Sequence, residues 1–220
     1  MSMPVNLQEG PTPSGSDGTG SAQGSLPIQM SPAEVELFTE SLRGVRRYFE
    51  YGTGGSTTLA FRLLQEAQAD PAIYGVDTSA AWIELVSGTL DHHDQVHLEH
   101  IDLGPVGDWG YPVNRRPRPI AWRRYPTAIR KVPQPETLNL VLIDGRFRVA
   151  CFIQALLACA TGTTILVHDY RDRPGYQVME SWAEKVRSVE SLAVFRKGEL
   201  TWRDRLRLHA AFCKFWIILQ

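Results

Sequence analysis

Short apolar runs alternate along the chain with stretches in which apolar side chains return every three or four positions. Order is predicted to begin at Ser31-Pro32-Ala33-Glu34. Ser at the N-cap, Pro at the first helical position and Glu at the third form a capping box. Val35, Phe38 and Leu42 then give a helix one apolar face. Beyond it the pattern predicts a strand at Arg47–Glu50, a helix at Thr57–Gln68, a strand at Ala72–Val76 and a helix at Ser79–Leu90. A strand at Gln95–Ile101 follows. Leu138–Ile143 is apolar nearly throughout, as a parallel strand buried on both faces should be. A helix at Phe147–Cys159, a strand at Thr163–Val167, a helix at Gly175–Val186 and a short strand at Leu192–Phe195 complete the alternation. Strands alternating with helices predict an α/β fold with an open, mostly parallel, doubly wound sheet and helices on both faces.

Three segments fall outside that alternation. Residues 1–30 hold five Gly, five Ser, four Pro, two acids and no Lys or Arg. Such a segment buries too little apolar surface to offset its ordering entropy, so a disordered tail is expected. The connection Gly104–Pro135 is proline-rich and carries Arg115, Arg116, Arg118, Arg123, Arg124, Arg130 and Lys131 against a single acid, Asp108. It also holds Trp109, Tyr111, Trp122 and Tyr125. Long loops of this kind are usually functional. It is expected either to overhang a site and hold a planar or anionic substrate, with Trp109 and Tyr111 as contacts, or to pack as a cover or subunit contact. Leu200–Gln220 mixes basic and apolar residues. It reads as a helix with Trp202, Leu206, Cys213 and Ile217 along one side. That side would pack on the sheet, meet a second copy in a homodimer, or lie at a membrane surface as a peripheral contact. The domain expected between the two ends is 31–199.

With 220 residues, 43% hydrophobic and 21% charged, the chain can form one domain around a sizeable core. Twenty-three basic and 24 acidic side chains leave a net charge of -1, which argues against a general nucleic-acid coat. Cys151, Cys159 and Cys213 make neither a zinc pattern nor a disulfide framework. Cys151 and Cys159 would stand about 12 Å apart on a helix, beyond the roughly 7 Å a disulfide spans. A reducing, cytoplasmic setting is expected. No apolar run approaches the roughly 18 residues of a membrane span, and no signal peptide is visible at the N-terminus.

In doubly wound sheets, ligands bind beyond the carboxyl ends of the strands. An acid stands at or near each predicted end: Glu50, Asp77, Asp102, Asp144 and Asp169. After the first strand comes Glu50-Tyr51-Gly52-Thr53-Gly54-Gly55-Ser56-Thr57. Its glycines allow a tight turn and close approach to a ligand, and the following helix start offers backbone N–H groups. Gly52 and Gly54 match a dinucleotide fingerprint, but Thr57 stands at its third glycine, against a nicotinamide oxidoreductase.

The set resembles the class I S-adenosylmethionine-dependent methyltransferases over Tyr48–Phe195. The carrying features are Glu50-x-Gly52-x-Gly54-Gly55 and the strand ends at Asp77 and Asp144. Leu140-Val141-Leu142-Ile143-Asp144-Gly145-Arg146-Phe147-Arg148 and Ile165-Leu166-Val167-His168-Asp169-Tyr170 look most like small bacterial methyltransferase-like proteins. More distantly they are similar to metal-dependent O-methyltransferases. The resemblance implies a seven-stranded Rossmann-like sheet and methyl transfer to a small molecule, with oxygen as acceptor. It implies that Glu50, Gly52 and Gly54 line the methionine end of S-adenosylmethionine and that Gly55 and Ser56 let the loop pass close. It places Asp77 at the ribose, Asp102 at the adenine and Asp144 beside the methyl group. Asp144, His168 or Asp169 would take the acceptor's proton, and Arg146 and Arg148 would bind an anionic substrate group or pair with nearby carboxylates. Asp144 and Asp169 would also be the protein ligands of Mg²⁺, but Tyr170 stands where relatives have a third ligand, and Asp172 replaces it only if the loop folds back. A non-catalytic protein that keeps the fold is the alternative. A nucleic-acid methylase is disfavoured, because no Asn/Asp-Pro-Pro-Tyr/Phe tetrapeptide follows the fourth strand.

Overall fold

A computed structural model describes residues 26–67, 70–105 and 119–216. Most of the tail (1–25), the candidate contacts Trp109 and Tyr111, and Ile217 lie outside the described residues. The chain runs α1 (Pro32–Ser41), β1 (Arg47–Tyr51), α2 (Gly55–Glu66), β2 (Ala72–Asp77), α3 (Ala80–Thr89), β3 (Val96–His100) and α4 (Pro119–Thr127). It continues through β4 (Leu140–Ile143), α5 (Arg148–Ala158), β5 (Thr164–Val167), β6 (Glu184–Val189), β7 (Leu192–Arg196) and α6 (Trp202–Phe215). Short 3₁₀ turns at Ala128–Lys131, Pro135–Thr137 and Pro174–Ser181 join the elements.

All seven strands form one sheet in the order β3-β2-β1-β4-β5-β7-β6. The first five are mutually parallel, and β7 runs antiparallel to both β5 and β6. The sheet is therefore mixed, with one antiparallel hairpin at its edge. Strand β6 begins where the pattern predicts the end of a helix. Over Gly175–Val186 the chain instead makes a 3₁₀ stretch and then enters β6.

Side chains alternate across the central strands, and each face has its own core. Leu140 and Leu142 of β4, Tyr48 of β1 and Leu166 of β5 pack with Phe38 of α1 and Leu64 of α2. Val141 and Ile143, Phe49 and Tyr51, and Ile165 and Val167 pack on the other face with Phe152 of α5 and Phe212 of α6. Both faces of β4 are buried, which explains its unbroken apolar run.

The capping box at Ser31 is formed, with the Glu34 carboxylate accepting from the Ser31 N–H at 2.9 Å. Residues 26–30, expected within the tail, pack instead: Ile28 and Met30 lie against the core under α1 and α2. The described part of the 104–135 connection sends its aromatic side chains into the core and leaves Arg123, Arg124, Arg130 and Lys131 exposed. Trp122 and Tyr125 are buried, with Phe147 5.7 and 6.1 Å from their ring centroids. The side of α6 that packs is not the predicted one. Leu208 and Phe212 are buried, whereas Trp202 is 67% and Leu206 59% exposed and Cys213 is exposed too. Among the described residues no helix is long and apolar enough to cross a membrane.

Candidate active site

The register of the parallel strands decides what meets at their carboxyl edge. Tyr51 pairs with Val76 and Ile143, and Ile143 pairs with Val167. The next residues, Gly52, Asp77, Asp144 and His168, therefore stand at one level across four adjacent strands. The ladder continues into the loops, with Gly52 N–H donating to Val76 O at 2.9 Å, Asp144 N–H to Tyr51 O at 2.9 Å and His168 N–H to Ile143 O at 3.1 Å. A cavity of about 770 Å³ opens over this level. Gly52, Gly54, Gly55, Ser56, Asp77, Asp144, Arg146, Arg148, His168 and Asp169, all candidates from the sequence, line it.

Two expected residues do not reach it. Glu50 lies one position inside the strand end and is fully buried beneath the glycine loop. Its carboxyl accepts from the Ser56 hydroxyl and, at 2.8 Å, from the Thr57 hydroxyl. Burial pushes its pKa up to about 8, against the lowering effect of those two hydrogen bonds. Asp102 lies two positions past the end of β3, exposed, where it accepts from the Gly104 N–H at 2.7 Å. Neither lines the cavity. Asp172 is also exposed and away from the lining, and the Tyr170 hydroxyl is turned to Glu180 at 2.6 Å. The third carboxylate ligand is thus not supplied by either residue.

Gly52 and Gly145 meet backbone to backbone. Gly52 has φ +88°, and a Cβ there would stand 2.8 Å from the Gly145 nitrogen. Gly55 is held as tightly from the other side, where a Cβ would approach the Pro27 carbonyl to 2.5 Å. Pro27, Ile28, Gln29 and Met30 thereby form one wall of the cavity. Gly54 faces only the Trp82 ring, which would lie 3.6 Å from a Cβ. The Trp82 indole donates to the Thr53 carbonyl at 2.6 Å, tying α3 to the loop.

Asp77 is positioned by backbone N–H groups. Its Oδ1 accepts from Thr78 at 2.7 Å and Ser79 at 3.0 Å, and its Oδ2 from Thr53 at 3.2 Å. Burial still raises its pKa, partly countered by these bonds and by Arg146. The buried Thr53 hydroxyl has no hydrogen-bond partner among the described residues, although it belongs to the lining. An orphaned donor, an oriented carboxylate and a glycine cradle suit a polar ligand such as the ribose and amino-acid ends of S-adenosylmethionine.

The other side of the cavity is charged. His168 Nδ1 lies 2.9 Å from Asp144 Oδ1, and Nε2 lies 3.5 Å from Glu34 Oε2. Burial disfavours the imidazolium, but the hydrogen bond to Asp144 and the charges of Asp144 and Asp169 outweigh it and raise its pKa. Arg148, the first residue of α5, is buried and reaches back to both acids. Its Nη2 is 3.0 Å from Asp144 Oδ1 and its Nη1 3.0 Å from Asp169 Oδ2. The turn that permits this is tight: Phe147, at the N-cap of α5, adopts the left-handed conformation with φ +54°. Asp144, His168 and Asp169 offer ligand atoms within 4.8 Å of one another. A Mg²⁺ ion does not fit them as they stand, because the Arg148 guanidinium already bridges the two carboxylates.

The sequence did not single out Trp82, Glu34 as a partner of His168, Arg173 or the 27–30 wall. The capping box marked Glu34 only as a helix start; its second role depends on tertiary proximity.

No family model and no curated protein sequence matches the chain. Among solved structures, it is similar to a methyltransferase-like protein from Silicibacter pomeroyi at 26% identity, with a TM-score of 0.69 over 85% of this chain and 97% of that one. It shares its fold with an O-methyltransferase from Bacillus cereus in complex with SAH, at 15% identity and a TM-score of 0.51 over 77% of this chain and 83% of the other. A cofactor-bound protein from MTB is similar at 17% identity and a TM-score of 0.54, over 80% and 84% of the two chains.

Proposed function

We propose that this chain, which has the fold of the class I S-adenosylmethionine-dependent methyltransferases, moves a methyl group from that cofactor to a hydroxyl of a small molecule. The observation that carries the reading is the single level shared by Gly52, Asp77, Asp144 and His168 around one cavity. The glycine loop and Asp77 form the half suited to the cofactor. Asp144, His168, Asp169 and Arg146 form the half suited to the acceptor.

S-adenosylmethionine supplies a methyl group on a sulfonium, whose carbon–sulfur bond breaks, leaving the electron pair on sulfur, as the acceptor oxygen bonds to carbon. The residues then have two tasks, alignment and disposal of a proton. Asp77 anchors one end through an orientation set by three backbone N–H groups. At the other end, the contacts of Asp144 with Arg148 and His168 both fall on Oδ1. Asp144 Oδ2, used by neither, is the oxygen that orients the acceptor hydroxyl and receives its proton. His168, held between Asp144 and Glu34, fixes that carboxylate in place. Arg146 lines the same cavity and suits an acceptor carrying negative charge.

Calorimetric titration of S-adenosylhomocysteine into the protein tests the cofactor half. Micromolar binding is expected, weakened tenfold or more (about 1.4 kcal/mol or above) by Asp77→Ala. No binding at millimolar ligand would remove the basis of the reading. Radiolabelled methyl incorporation with a pool of hydroxylated small molecules tests the acceptor half. Cofactor binding with no transfer to any acceptor would instead favour a non-catalytic protein.

A further inference from the structure

We propose that the guanidinium of Arg148 stands where a divalent cation would bridge Asp144 and Asp169, so that transfer at this site needs no divalent metal. The inference rests on the methyltransferase reading and adds to it the identity of the cation on the acceptor side.

Arg148 is held on every nitrogen of its guanidinium. A guanidinium has five N–H groups in a planar fork. Nε donates to the Gly145 carbonyl at 3.0 Å. Nη1 donates to the His168 carbonyl and lies 3.0 Å from Asp169 Oδ2. Nη2 faces the Asp144 carbonyl at 3.3 Å and Asp144 Oδ1 at 3.0 Å. Three hydrogen bonds thus reach carbonyls of the two loops, and both terminal nitrogens also form ion pairs with the carboxylates at the ends of β4 and β5. The side chain is only 4% exposed. A metal entering between the acids would strand this buried cation without its partners, which is far more costly than leaving the pair alone.

The charge balance agrees. Asp144 and Asp169 face the guanidinium groups of Arg148 and Arg173, the latter 3.6 Å from Asp169 Oδ2. Two carboxylates thus already stand against two arginine charges. A bound metal would also offer open positions to a chelating pair of substrate oxygens. The buried guanidinium is turned to the two acids and the loop carbonyls, so it fixes the acids without gripping the substrate. The acceptor therefore need not carry adjacent oxygens, and a single hydroxyl suffices.

The test pairs metal binding with cofactor binding. Mn²⁺ is titrated into the wild-type protein and followed by electron paramagnetic resonance. In parallel, S-adenosylhomocysteine is titrated in EDTA and in Mg²⁺. The expected results are no bound Mn²⁺ and the same affinity in both buffers. Arg148→Gln frees Asp144, Asp169 and His168 and is expected to gain one Mn²⁺ site. Arg148→Lys, which keeps a cation there, is expected to stay metal-free. Stoichiometric Mn²⁺ on the wild type, an affinity that falls in EDTA, or a folded Arg148→Gln protein that binds no Mn²⁺ overturns the proposal. If Arg148→Gln does not fold, the wild-type titrations decide. Failure of S-adenosylhomocysteine to bind in either buffer speaks against the methyltransferase reading, while the Mn²⁺ titrations still judge Arg148.

Discussion

Glu34 Oε1 accepts two hydrogen bonds from Ser191, at 2.9 Å from its backbone nitrogen and 2.7 Å from its hydroxyl. The other oxygen accepts from the Ser31 N–H and faces His168. One buried carboxylate thereby ties α1 to the β6–β7 turn and to the candidate site. Burial works against its charge, but the bonds from Ser191 and Ser31 and the charge of His168 prevail and lower its pKa. A lowered carboxylate stabilises the fold above its unfolded value, and the contribution fades as pH falls through the folded one. Glu34→Gln is therefore expected to destabilise the protein at pH 7 by about 1–3 kcal/mol, the cost of breaking a buried, charge-assisted network. The gap to wild type, read from denaturant melts, should narrow as pH drops below the ordinary value of 4.5. A gap that does not change with pH would mean the carboxylate's charge plays no part.

The opposite sign applies to Glu50. Its pKa is raised to about 8 by burial, so the native state holds a proton that the unfolded chain releases near 4.5. Stability should fall as pH rises between those values and level off beyond them. Glu50→Gln removes the titration and keeps the shape, and its single amide oxygen retains one of the two acceptor contacts to Ser56 and Thr57. Relative to wild type it should gain on the order of a few kcal/mol between pH 5 and pH 9, since each pK unit corresponds to about 1.4 kcal/mol. Parallel melting curves of the two proteins across that range would show that Glu50 does not titrate there.

These two acids also show how far the sequence could be read. Strands buried on both faces were legible because their apolar runs have no other use, as at Leu140–Ile143. The strand β6 was not, because Glu184–Val189 is an edge strand whose charged side chains face water and leave no alternation to detect. Helix α6 has two apolar stripes, and only contact with α5 selects Leu208 and Phe212 over Trp202 and Leu206. At the site, Asp77 and Asp144 were legible as strand ends. Glu50 sits in the core and not at the cavity because β1 runs one residue further than the pattern predicts. The pairing of Arg148 with both acids depends on the left-handed turn at Phe147, which a bulky residue rarely marks.

Gly145 has no room for a side chain. A Cβ there would stand 1.9 Å from the Tyr125 hydroxyl oxygen and 3.0 Å from the Gly52 nitrogen. Gly145→Ala should push Tyr125 out of its place under the cavity and destabilise the protein by about 1–3 kcal/mol, the usual range for overpacking. Removing the hydroxyl in Tyr125→Phe relieves the closest contact. The double variant should therefore be more stable than the sum of the single changes predicts. Additive losses in thermal melts would show that the clash is relieved some other way.

Trp82 tests whether the cavity holds the cofactor without touching the acids. Its indole donates to the Thr53 carbonyl at 2.6 Å, and its ring lies beside Gly54. The bond holds the loop whose Thr53 N–H, in turn, orients Asp77 Oδ2. Trp82→Phe keeps an aromatic wall and loses only the donor. A single hydrogen bond is worth about 1 kcal/mol, so S-adenosylhomocysteine should bind roughly fivefold more weakly, with a small loss of thermal stability. Trp82→Leu removes the aromatic wall as well and should weaken binding further. If both variants bind S-adenosylhomocysteine as the wild type does, the ligand lies away from the glycine loop, and the assignment of Asp77 to its ribose fails with it.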